Sequence, residues 1–191
     1  MQKQGQIEVI CGPMFAGKTE ELIRRANRLE YAHKNYLVFK PVIDDRYSKD
    51  EIVSHSNYRK KSIPVSSSKE ILPYLNESID AIIIDEAQFF DNDIIKIAVD
   101  AANNGMRVIC GGLDSDFRGE PFPIMADLLA RAESVTKLTA ICSCCGNPAT
   151  RTQRIIDGKE AYYDDPVVLV GAKEAYEPRC RMCHKVLFRE K

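Results

Sequence analysis

The stretch Gly12-Pro13-Met14-Phe15-Ala16-Gly17-Lys18-Thr19 sets two glycines, a lysine and a hydroxyl side chain at the spacing G-x-x-x-x-G-K-[ST]. That spacing suits a polyphosphate. Glycine lets the backbone close around phosphate oxygens, and successive amides and a helix N-terminus add partial positive charge. Lys18 is expected to reach the β- and γ-phosphates, and the Thr19 hydroxyl to ligate Mg2+. A second reactive group is Asp85-Glu86, directly after the β-branched run Ala81-Ile82-Ile83-Ile84. An acidic residue ending such a strand is the expected partner of a phosphate loop, holding magnesium directly or through water. Adjacent strand residues face opposite sides, so the pair divides the work: Asp85 to the metal, Glu86 to the nucleophile.

A third group is made of cysteines. Cys142 and Cys145 form one CxxC, and Cys180 and Cys183 form another. Two such knuckles are a zinc-ribbon signature, and a complete four-thiolate shell makes the zinc structural. Cys144 sits inside the first knuckle, and His184, next to Cys183, is an alternative ligand. Cys11 and Cys110 each end an apolar run and read as small core residues.

These groups need a scaffold. Ile7 to Cys11 reads as a strand leading into the glycine-rich turn. Leu22, Ile23, Ala26, Leu29 and Ala32 then recur at helical spacing. Tyr36 to Phe39 is strand-like, and Asp44 to Lys61 is polar and unperiodic, predicting a mobile loop. Asp91 is placed to cap a helix carrying Ile94, Ala98 and Ala101, with Gly105 ending it. Arg107 to Cys110 reads as a strand ended by Gly111-Gly112. Alternating strands and helices predict an α/β core at 1–139, a parallel sheet flanked by helices. Residues 140–191, with both knuckles and a turn at Asp157-Gly158, read as a small zinc-binding domain.

Bulk properties narrow the function. Hydrophobic residues make up 45% and charged residues 29% of the 191 positions, which suffices for a sizeable core. A formal net charge of -1 argues against non-specific nucleic-acid binding, and Arg59-Lys60-Lys61 is too short a basic cluster to change that. No apolar stretch reaches the roughly 18 residues that span a bilayer. The polar start, Met1 to Gln6, lacks signal-peptide character. The expectation is a soluble, cytoplasmic protein with no membrane or nucleic-acid partner, whose seven cysteines serve metal binding or burial. A RecA-like ATPase or nucleic-acid-binding module with a zinc ribbon is the competing class.

The phosphate-loop octapeptide, Asp44-Asp45-Arg46-Tyr47-Ser48, Ile84 to Phe90, Gly112-Leu113-Asp114 through Phe117, Pro121-Phe122, Glu133 to Leu138 and both knuckles together resemble the type II thymidine kinases. The likeness runs from about Ile7 to His184, in the family's order; the extra Cys144 departs from its pattern. The resemblance implies a RecA-like phosphate-loop core with a zinc-bearing lasso domain. It implies ATP-dependent transfer to the 5′-hydroxyl of thymidine, and of deoxyuridine, in nucleotide salvage, with Glu86 accepting the proton. It further implies a homotetramer and feedback inhibition by thymidine triphosphate. The nucleotide would lie on residues Gly12 to Thr19, Asp44, Arg46 and Asp85, Glu86, Ala87 and Gln88. Thymidine would contact Met14, Phe89, Leu113, Phe117, Phe122, Thr152, Val167, Leu169, Val170, Gly171 and Tyr176. Phe89, Phe117 and Phe122 fit a core as well as a pocket, but their places near strand ends favour the pocket.

Overall fold

A computed structural model describes residues 4–42, 51–53, 59–167 and 174–189. In chain order the elements are β1 (Gln6–Cys11), α1 (Lys18–Tyr31), β2 (Tyr36–Pro41), β3 (Glu51–Val53), β4 (Arg59–Lys61), β5 (Ile63–Val65), β6 (Ala81–Ile84), α2 (Asp93–Asn103), β7 (Arg107–Gly112), α3 (Pro123–Arg131) and β8 (Ser134–Lys137). Beyond them lie β9 (Ala140–Ile141), β10 (Pro148–Ala149), β11 (Arg151–Ile156), β12 (Lys159–Glu160) and β13 (Glu174–Arg179). Short 3-10 turns cover Ser68–Tyr74 and Ala87–Phe89.

Six strands form one parallel sheet in the order β5-β2-β6-β7-β1-β8. Alternation along each strand feeds two cores. Ile10, Ala81, Ile83 and Ile109 meet Leu22, Ile23, Ala26 and Leu29 of α1 on one face. On the other, Val9, Ile82, Ile84 and Val108 meet Ile94, Ile97 and Ala98 of α2 and Ile124, Met125 and Leu128 of α3. Each fully buried Ile or Leu contributes about 1.5–3 kcal/mol by area. The two-sided burial is why β6 and β7 read as continuous apolar runs. One charge lies beneath α1: Glu8 of β1 is ion-paired with Arg25 of α1 and Arg107 of β7, and Arg25 also donates to Glu21 (2.9 Å) and Thr136 (2.8 Å).

Several sequence expectations need correcting. The stretch from Asp44 to Lys61 is not all loop, because β3 and β4 pair antiparallel within it; residues 43–50 and 54–58 lie outside the described residues. Gly111 and Gly112 continue β7 rather than ending it. Asp91 acts one residue outside its expected place: its Oδ1 accepts from the Asp93 amide (3.0 Å), while Asn92 holds the cap position of α2. Helix α3 and edge strand β8 carry no strong periodic signal and were not expected.

After β8 the chain forms small antiparallel sheets, β9 with β10 and β12-β11-β13. Asp157 and Gly158 (φ 49 and 78) make the tight turn between β11 and β12, both in the left-handed conformation such hairpins need. Among the described residues no helix is long and apolar enough to cross a membrane.

Candidate active site and metal centre

The phosphate loop joins β1 to α1 at the C-terminal edge of the sheet. Gly12 (φ 146) is required there: a Cβ would lie 2.4 Å from the Leu138 carbonyl oxygen. Gly17 (φ 84) turns the chain into α1 from the left-handed region. Lys18 is half-buried, and its Nζ donates to the Pro13 carbonyl at 2.8 Å, curling over the loop it belongs to. Burial lowers its pKa, against the opposing charges of Glu86, Asp85 and Asp114. Thr19 follows in the first turn of α1. Phe15 is exposed, and Ala16 packs against the cysteine-bearing segment.

Asp85 and Glu86 follow β6 rather than ending it, since the strand stops at Ile84. Asp85 is buried and accepts the Glu86 amide at 2.9 Å. Burial, and then the charge of Glu86, push its carboxyl up to about 7. A carboxyl so placed, together with a hydroxyl such as that of Thr19, is a hard oxygen donor set that suits Mg2+. Glu86 has φ 50, so the backbone kinks through the left-handed region at the second acid, strand alternation does not orient the pair, and both charges act on Lys18. Gln88 then fixes Glu86. Its Nε2 donates to Glu86 Oε2 at 2.5 Å, and its Oε1 accepts the Leu113 amide at 3.0 Å. Gly112 makes room, since a Cβ there would come within 2.5 Å of Gln88 Oε1. Ala87, expected at the nucleotide, is buried in the core, and Gln88 faces Glu86 and Leu113.

Beside this centre lies an aromatic group from the loop after β7 and the turn after β6. Phe89 meets Phe122 edge to face at 6.0 Å. Phe117 is buried between the guanidinium groups of Arg118 (5.6 Å) and Arg154 (5.3 Å). Leu113 is half-buried at the end of β7. Thr152 uses its Oγ1 to accept the Met14 amide at 3.0 Å, so β11 tethers the phosphate loop. Tyr176 of β13 is the strand partner of Arg154, and Val167 is half-buried. Asp44, Arg46, Leu169, Val170 and Gly171 lie outside the described residues. Sequence reasoning gave Asp114 no role. Its carboxylate pairs with Lys137 of β8 at 2.8 Å across the end of β1, and its Oδ1 is buried without a hydrogen-bond partner among the described residues. The motif Gly112-Leu113-Asp114 was the available signal. Two surface depressions, about 690 Å³ around Arg28, Tyr31 and Asp80 and about 480 Å³ between α2 and α3, include none of these residues.

Cys142, Cys145, Cys180 and Cys183 bring their Sγ atoms within 4.8 Å of one another. Cys145 lies 3.7 Å from Cys180 and 3.6 Å from Cys183. Tetrahedral zinc with bonds of about 2.3 Å needs sulfurs about 3.8 Å apart, so the quartet can hold a zinc ion. The Cys180 and knuckle amides hold the Cys142 thiol down to about 6, favouring the thiolate a metal needs. Cys144 and His184, the alternative ligands, stand outside the quartet. The His184 Nε2 instead lies 2.8 Å from the Phe117 carbonyl oxygen.

The sequence profile of the family described as thymidine kinase matches residues 5–184. Among solved structures, the chain is similar to the Thermotoga maritima RuvB Holliday junction branch migration motor, at 13% identity and a TM-score of 0.43. The similarity covers 70% of this chain, which spans only 38% of that one. A likeness of that size says nothing about function.

Proposed function

We propose that this chain, which belongs to the thymidine kinase family, transfers the γ-phosphoryl group of ATP to the 5′-hydroxyl of thymidine, and of deoxyuridine less efficiently. The observation that carries the reading is one edge of the sheet. There a phosphate loop with Lys18 faces Asp85 and Glu86, and Gln88 holds Glu86 at 2.5 Å. The loop amides and Lys18 bind the polyphosphate. Asp85 and Thr19 are the residues to hold Mg2+, which when bound neutralises phosphate charge and supplies electrostatic stabilisation. Glu86 orients the 5′-hydroxyl and accepts its proton. The hydroxyl oxygen bonds to the γ-phosphorus as the bond from that phosphorus to the β–γ bridging oxygen breaks, and ADP leaves with the electron pair. Since such transition states are loose, most of the acceleration comes from positioning and charge.

Thymidine is assigned to Met14, Leu113, Phe89, Phe117, Phe122, Thr152 and Tyr176, with Val167 to Gly171 reading the base through backbone groups. Asp44 and Arg46 are assigned to phosphate. The cysteine quartet is assigned structural zinc within a lasso domain of residues 140–191. A homotetramer, feedback inhibition by thymidine triphosphate and a cytoplasmic setting rest on the family resemblance.

A nucleoside panel tests the reading. Matched backbone donors and acceptors discriminate polar edges strongly, whereas one methyl contributes only about 1–3 kcal/mol. Deoxycytidine should fall below thymidine in kcat/KM by about 10⁴, and deoxyuridine by a modest factor. Deoxycytidine within about tenfold of thymidine, or ATP consumption that depends on DNA, overturns it.

A further inference from the structure

The segment holding the second cysteine knuckle also grips the nucleoside side of the site. Gln153 of β11 fastens the chain just past Cys183: its Nε2 donates to the Lys185 carbonyl (2.8 Å), and its Oε1 accepts the Lys185 amide (2.8 Å). Between that fastening and Cys183 stands His184, whose Nε2 lies 2.8 Å from the Phe117 carbonyl oxygen. A carbonyl only accepts, so Nε2 carries the proton and the ring donates. Arg154, one residue after Gln153 and fully buried, lays its guanidinium on the Phe117 ring at 5.3 Å. Its Nη1 donates to the Pro166 carbonyl (2.5 Å), one residue before Val167. Arg151 adds a bond to the Gly119 carbonyl at 3.3 Å. The loop after β7 is thus held on both ring and backbone by residues that follow the first knuckle.

We propose that His184 is a positioning residue, tying the cysteine quartet to Phe117 so that the metal knuckle sets the shape of the nucleoside pocket. It touches no reacting atom and acts through Phe117. The inference rests on the nucleoside-kinase reading for what fills the pocket, but not for the clamp itself. The phosphate loop is held by a different side chain of β11, Thr152, which accepts the Met14 amide and makes no contact through His184. Loosening His184 therefore moves nucleoside binding and leaves ATP binding alone.

The test uses the zinc-loaded full chain and three substitutions. His184→Leu removes the donor, and His184→Asn keeps a polar group too short to reach the carbonyl. His184→Gln places an amide donor close to the position of Nε2. With zinc per chain unchanged, Leu and Asn should raise the thymidine KM about tenfold, the worth of one lost hydrogen bond in a buried site. The ATP KM and kcat should stay put, and Gln should restore most of the loss. Amide exchange at Phe117 to Gly119 should quicken in Leu and Asn and not at Gly12 to Thr19. Unchanged exchange and KM in a folded, zinc-bearing Leu or Asn variant overturns the proposal, as does an ATP KM that rises equally. Should Leu not fold, Asn alone decides. A wild-type protein that does not phosphorylate thymidine refutes the proposed function, while the exchange measurement still decides the clamp.

Discussion

Gln88→Met is the substitution that best isolates how Glu86 is aimed. Methionine keeps the length and bulk of glutamine in this buried position and removes both its donor and its acceptor. The bond to Glu86 Oε2 (2.5 Å) is charge-assisted, a class that contributes about 1.5–3 kcal/mol. The Leu113 amide, 3.0 Å from Gln88 Oε1, is left without that partner at a cost of about 1 kcal/mol, the lower end of the range because Leu113 is half-buried. A combined loss of about 3 kcal/mol lowers Tm by roughly 6–12 °C in a chain of this size. The catalytic effect is separate. Glu86 keeps its left-handed backbone but loses the group that fixes its carboxylate, and misplacement by about 1 Å can cost about 10²-fold. We expect kcat to fall by roughly 10–100-fold with little change in the ATP KM. Steady-state ADP release and thermal unfolding on the same preparation read both quantities. A folded Gln88→Met protein with kcat within about threefold of wild type would refute the claim that Gln88 orients Glu86.

Lys18→Ala should fold and lose kcat by about 10²-fold or more, because the lysine serves phosphate charge rather than the core; more than about a third of wild-type kcat, read at saturating ATP, shows the assignment wrong. Glu8→Gln leaves Arg25 and Arg107 facing a neutral amide and should destabilise the fold by about 3–5 kcal/mol in urea titrations. Burial raises the Glu8 carboxyl, but the Arg107 hydrogen bond and the charges of Arg107 and Arg25 outweigh it and hold its pKa below the ordinary 4.5. The stability it supplies is therefore complete above that value and lost as pH falls through the lowered one; equal acid limbs in variant and wild type would refute this. Cys145→Ser should remove the metal, counted by elemental analysis, and open residues 140–189 to amide exchange, with activity falling indirectly. An ordered, metal-free C-terminal segment would count against the zinc site.

What could be read from sequence is what local spacing carries. The phosphate loop works through consecutive amides, so its octapeptide states strand, turn and helix together. The run Ala81 to Ile84 announces a strand buried on both faces because every residue in it is apolar. Cysteine pairs declare themselves because a knuckle is itself local. The rest depends on contacts distant in sequence. Nothing around Gln88 says that its Oε1 meets an amide twenty-five residues on. Thr152 was legible as a ligand contact, but that its hydroxyl also accepts from the Met14 amide, far along the chain, was not. His184 stood only as an alternative ligand because it adjoins Cys183, and it takes the fold to bring the Phe117 carbonyl to it. Helix α3 was obscured by its shortness, nine residues that begin on Pro123, and β8 by its exposed edge position, which asks for no apolar alternation.

The place of β7 between β1 and β6 has a consequence for how this centre can drift over generations. Neighbouring strands are spaced by their hydrogen bonds at about 4.8 Å, so the strands that carry the phosphate loop and the acidic pair are held about 9.5 Å apart by one intervening strand and its two ladders. That ruler is made of main chain and is the same whatever side chains hang from it. Substitutions among the packed isoleucines and leucines will tilt α1, α2 and α3 by fractions of an ångström, while the gauge between cradle and acid stays where the ladder puts it. The core can therefore be rewritten freely in volume-conserving steps, and the strict sites in β7 are the ones where the layers above and below leave no room for a side chain: Gly111, whose Cβ would strike Leu22 of α1, and Gly112, whose Cβ would strike Gln88 and Met125 of α3.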